Sequence, residues 1–111
     1  MSKNTSFWYM YRDAANYKVH TEVVLAGEMT EEQWQTIVSC CDGEEFFAPQ
    51  KVGLEARDFV AIGYAAYDDD PDLFEIVEYR HTEQKPTVNM TVEELVAKFQ
   101  ENKGKWYQEV M

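Results

Sequence analysis

A chain of 111 residues, 45% hydrophobic and 14% aromatic, is long enough to bury one core and too apolar for an acidic disordered segment, so one domain spanning residues 1–111 is expected. Its formal charge of −11 is localised: residues 28–83 hold 15 of the 21 Asp and Glu against Lys51, Arg57 and Arg80, which disfavours direct nucleic-acid binding and suits a basic partner or simple solubility. No apolar run approaches the roughly 20 residues of a membrane span, and residues 1–5 lack the apolar stretch of a signal peptide, so the expected location is cytoplasmic.

Residues 6–12 are rich in aromatic, strand-favouring side chains, and residues 17–25 alternate as a half-buried strand does. Asp13 and Asn16 between them favour a turn, which predicts a β-hairpin. In its second strand Tyr17, Val19, Thr21, Val23 and Leu25 share one face and Lys18, His20 and Glu22 the other. In its first strand Phe7, Tyr9 and Tyr11 fall on one side, with Trp8 and Met10 on the other. Both sides are therefore apolar or amphipathic, while a two-layer fold has only one core face. The second side calls for cover from residues 44–57, from the C-terminal tail, or from another protein or copy of this one, because Tyr, Trp and Met are favoured at interfaces.

Thr30-Glu31-Glu32-Gln33 has the capping-box pattern of a helix start, and Trp34, Ile37, Val38 and Cys41 follow as one apolar stripe. Gly43 is placed to close this helix in the left-handed conformation. Cys40 and Cys41 are adjacent, badly oriented for an ordinary disulfide with each other, and have no further Cys to complete a zinc set. Two reduced thiols, one of them in the core, are expected.

Residues 44–57 have neither a strand nor a helix period. Phe46, Phe47, Val52 and Leu54 are expected to fold back on the core, since adjacent phenylalanines are costly to expose. Residues 58–66 predict a third strand and residues 73–80 a fourth, antiparallel across the Asp68-Asp69-Asp70-Pro71-Asp72 turn. The aspartates resemble the start of a calcium loop, but Leu73 and Tyr79 occupy the positions where that loop needs Gly and Glu. Thr91-Val92-Glu93-Glu94 is a second capping box, with Val92, Leu95, Val96 and Phe99 as its stripe. The order ββαββα predicts an α+β fold: a four-stranded, mainly antiparallel sheet with two helices on one face.

Chemistry-bearing motifs are sparse. The glycines are isolated and form no phosphate loop, and no cofactor or metal set is present in the sequence. His20 and His81 are the candidates for a small hydrolase or ligand-binding site, should their strands bring them together. Arg12, among Tyr9, Tyr11 and Tyr17, is placed to fork onto a carboxylate such as Asp13.

The segments Tyr11-Arg12-Asp13-Ala14-Ala15-Asn16-Tyr17-Lys18, residues 27–33 and Glu45-Phe46-Phe47-Ala48-Pro49-Gln50-Lys51-Val52-Gly53-Leu54 resemble a family of small hypothetical bacterial proteins. The resemblance spans the first half of the chain and implies a stand-alone bacterial or phage-borne protein. It brings no activity and no catalytic residue. The expected function is a non-enzymatic protein-interaction module that binds a protein partner or a second copy. Its contact residues are sought among Tyr9, Tyr11, Arg12, Tyr17, Phe46, Phe47, Asp68, Asp69, Asp70 and Asp72. The alternative is an acidic inhibitor that presents carboxylates, Glu44 and Glu45 among them, where a basic protein expects phosphates.

Overall fold

In the computed structural model, which describes residues 4–57, 63 and 73–106, the aromatic hairpin forms as its alternation requires. Strand β1 (Asn4–Arg12) pairs antiparallel with β2 (Lys18–Ala26), in a register that sets Met10 opposite His20 and Trp8 opposite Glu22. Asp13 organises the turn: its Oδ1 accepts from the backbone N–H groups of Ala15 at 3.0 Å and Tyr17 at 2.8 Å. Asn16 takes the left-handed conformation there (φ 70°), which Asn tolerates better than most residues.

Helix α1 (Glu31–Cys40) starts with the anticipated box: Thr30 Oγ1 accepts from the Gln33 N–H at 3.1 Å, and Gln33 Oε1 accepts from the Thr30 N–H at 2.9 Å. Its end differs from the sequence expectation. The helix stops at Cys40 with Cys41 extended, and Gly43 (φ 61°) turns the chain three residues later, inside a tight turn closed by bridging of Asp42 to Phe46. Helix α2 (Val92–Asn102) carries the second capping box, built from Thr91 and Glu94.

The sheet is four-stranded and antiparallel in the order β2-β1-β4-β3, so β1 is central. Strand β3 is Phe46–Phe47, two residues from the segment that showed no strand period, and β4 is Phe74–Thr82. The expected strand at residues 58–66 and the aspartate turn lie outside the described residues, Gly63 excepted. After β3 a 3₁₀ turn over Pro49–Val52 leads into Gly53, whose φ of 79° bends the path back over the core. Phe47, Val52 and Leu54 are buried, as expected of that segment.

A bulge on β4 decides which of its residues face inward. Ile76 pairs with Tyr9 and Glu78 with Trp8, leaving Val77 as the extra residue. Strict alternation would have turned Glu78 inward and Tyr79 outward. The bulge reverses the phase, so that Tyr79 packs on the core beside Trp34, ring centroids 5.1 Å apart.

Both helices cover the face carrying Phe7, Tyr9, Tyr11, Val19, Val23 and Leu25. Phe7 touches Trp34 of α1 at 6.0 Å and Phe99 of α2 at 6.4 Å between ring centroids. The helices run side by side in one direction: Thr91, at the start of α2, bridges to Ala26, while Trp106, just past its end, reaches Cys40 at the end of α1. No helix among the described residues is long and apolar enough to cross a membrane.

Candidate interaction surface

The face of the sheet opposite the helices is built from the other phase of each strand. By register its rows are Lys18 beside Arg12; His20, Met10 and Glu75; Glu22, Trp8 and Glu78; then Val24, Ser6 and Arg80. Trp8 and Met10 are half-buried, Val77 is 40% exposed, and none of the three belongs to the core cluster. Lys18, His20, Glu22 and Arg80 are exposed. An indole and a thioether thus sit in the middle of a charged frame, with neither helix packed over them.

The frame is ordered by its own hydrogen bonds. Ser6 Oγ donates to Glu22 Oε2. Arg80 pairs with Glu78 at 3.1 Å. At the hairpin end Arg12 Nε donates to Glu75 Oε2 at 2.8 Å, and a second guanidinium nitrogen donates to Asn16 Oδ1. Glu75 is 5% exposed, and Arg12 compensates the burial of its charge. Glu45, which precedes β3, hydrogen-bonds Glu75 through its side chain; that bond, then partial desolvation and the neighbouring charge, hold its carboxyl above the ordinary range, while Arg12 pulls the other way.

One edge of this face is closed. Along β2, Val24 N donates to Thr87 Oγ1 at 2.8 Å and Thr87 N donates back to the Val24 carbonyl at 2.9 Å. The segment after β4 therefore occupies hydrogen-bonding positions that an incoming strand would need.

The residues singled out from sequence separate between the two sides. Tyr9, Tyr11 and Phe47 are buried in the core, and Tyr9 Oη donates to the Glu55 carbonyl at 2.6 Å. Burial, with the nearby Glu55 charge second, pushes the Tyr9 hydroxyl pKa well up. Phe46 is half-buried against the core, and Tyr17 stands 69% exposed at the hairpin tip. Arg12 pairs with Glu75 rather than with Asp13, whose carboxylate caps the turn. Asp68, Asp69, Asp70 and Asp72 lie outside the described residues. The outward surface of the hairpin is thus made by the even-numbered neighbours of the tyrosines.

His20 and His81 do not meet. His20 lies opposite Met10 on the open face, whereas His81 lies opposite Thr5 on the helix side, its Nε2 2.7 Å from the Met29 carbonyl. Both cysteines are unpaired and buried, and burial followed by the neighbouring Cys40 pushes the Cys41 thiol up to about 12. A cleft of about 250 Å³ at the helix C-termini is lined by Ser39, Cys40, Cys41, Asp42, Lys103 and Trp106 among others. Among the described residues no group of three His, Cys, Asp or Glu is arranged to hold a metal ion.

No family model, curated protein or solved structure matches this chain. Glu75 is the important residue that sequence reasoning missed. Its alternation with Phe74 and Ile76 places it opposite the core side chains, but its partner is 63 residues away and is set by the β1–β4 pairing.

Proposed function

We propose that this protein is a non-enzymatic interaction module whose contact surface is the open face of the sheet, centred on Trp8 and Met10. The observation that carries the reading is the half-exposure of an indole and a thioether in the middle of a sheet whose other face holds both helices. Trp and Met at the centre of a patch, ringed by Lys18, Glu22, Glu78 and Arg80, reproduce the apolar-centre and polar-rim layout of protein interfaces.

The test is a photo-crosslinking amino acid at position 77, compared with one at Gln35 on the exposed side of α1, in cells producing the full chain. An adduct of defined mass at 77, with none at 35, and binding of the purified adduct partner lost in Met10→Glu, is the expected result. Equal or no crosslinking at the two positions would overturn the reading.

A second reading has one observation in its favour. The Ala26–Thr91 bridge sets the two helix starts side by side, so Glu28, Glu31, Glu32, Glu93 and Glu94 crowd one end of the molecule. Such a display fits an acidic inhibitor of a basic protein. Its signature is binding that weakens steeply with salt.

A further inference from the structure

We infer that the occupant of the open face is a second copy of this chain, docked about a two-fold axis that runs across the strands through the Met10–His20 row. This deepens the interaction reading and rests on it. The argument is self-complementarity of charge. Lys18 and Arg12 lie one row to one side of Met10, and Glu22 and Trp8 one row to the other, in the same two strand columns.

An isologous dimer requires each feature to meet its partner across the axis. Rotation about the Met10 row lays Lys18 of one copy over Glu22 of the other, and the reverse, giving two equivalent ion pairs. The same operation sets the Arg12 position opposite Trp8 of the other copy, twice, while the guanidinium itself stays on Glu75 and Asn16. Met10 meets its symmetry mate on the axis, where a flexible thioether adapts to a close contact. Glu75 shares that row, but it is buried against Arg12 and presents no open like charge. Glu78 is neutralised locally by Arg80.

The size of the face sets the strength. Val24 and Ser6 are already buried, so the accessible rows run from Lys18 and Arg12 to Glu22, Trp8 and Glu78, and three strands over those five positions cover roughly 14 by 17 Å, about 240 Å² per copy. Standard stable interfaces bury about 800 Å² per partner, so the dimer is a reversible one whose population rises with concentration.

Sedimentation equilibrium of the purified full chain, from micromolar to millimolar concentration, tests the inference. The expected result is a monomer–dimer equilibrium weakened by added salt. Lys18→Glu and Glu22→Lys should each weaken dimerisation at least roughly tenfold, about 1.4 kcal/mol. The double charge swap should restore it, and circular dichroism should show all three variants folded. Wild-type protein that stays monomeric throughout overturns the inference. So does a dimer indifferent to the single swaps, or one the double swap fails to restore. The interaction reading fails separately: a monomeric protein that still crosslinks another protein through position 77 removes the second copy and keeps the surface, whereas no crosslink at 77 removes both.

Discussion

The indole Nε1 of Trp106 donates to the backbone carbonyl of Cys40 at 2.8 Å, tying the chain beyond α2 to the last residue of α1 across 66 positions. The ring packs edge-on to Phe99 at 5.5 Å and to Phe47 at 6.3 Å, so one side chain joins both helices to β3. Trp106→Phe keeps much of the packing and leaves the carbonyl unpaired, which should cost about 1–3 kcal/mol. Trp106→Ala should cost about 3–5 kcal/mol. Urea unfolding of both variants checks the pair; equal losses would mean that the hydrogen bond, and not the ring, holds this corner.

Gly53 sits at φ 79°, and a Cβ added there meets the Met90 terminal methyl at 2.9 Å. That methyl is the end of a flexible side chain and can move, so the backbone conformation sets most of the cost. Gly53→Asn should lose less than Gly53→Ala, at about 1 kcal/mol, and Gly53→Val should lose most. Thermal unfolding of the three gives the order; Ala and Asn losing equally would show the contact to dominate.

Glu45 and Glu31 should bend stability in opposite directions with pH. Folding raises the Glu45 pKa, first through the Glu75 hydrogen bond, so its stabilising contribution is complete below the ordinary carboxyl range and fades as pH rises through the raised value. Folding lowers the Glu31 pKa, through hydrogen bonds from Gln35 and then Tyr79, so its contribution is complete above that range and fades as pH falls. Glu45→Gln should therefore match or exceed the wild-type Tm at neutral pH. Glu31→Gln should fall below it at neutral pH and converge with it below about pH 4. Both groups are exposed and the shifts in Tm should be small. A Glu31→Gln deficit that grows on acidification would contradict the assignment.

The cysteines should be silent in the native state. Cys41 Sγ points at the Ile37 carbonyl, 3.4 Å away, and its pKa of about 12 leaves almost no thiolate at neutral pH. A chromogenic disulfide reagent at pH 8 should label neither thiol until denaturant is added, and then both. Rapid native labelling would place one of them at the surface.

Each helix start should carry its own share of stability. Thr30→Ala and Thr91→Ala each remove one acceptor from a complete capping box and should cost about 1 kcal/mol, with serine at either position recovering most of it. Chemical denaturation with additivity in the double variant checks that the two caps act independently.

The short-range features were legible in the residues themselves. The hairpin, both capping boxes and both apolar stripes follow from spacings of two, three and four residues, and such spacings dictate direction from the backbone alone. They established that Tyr9 and Trp8 must point to opposite sides of one strand. The alternation in residues 17–25 also marked the Lys18, His20 and Glu22 side as the wet one, but nothing local decided that Phe46–Phe47 would become the fourth strand at the edge of β4. A two-residue strand has no period to read, and it exists only because β4 offers an open edge. The same holds for Arg12 and Glu75: the β1–β4 pairing brings the guanidinium to a carboxylate 63 residues on, and the bulge at Val77 turns Tyr79 inward and Glu78 outward. Register between distant strands is set by the packing of the whole core, which no local window of sequence contains, so tertiary structure alone decided that Arg12 would meet Glu75 and that Phe46–Phe47 would pair with β4.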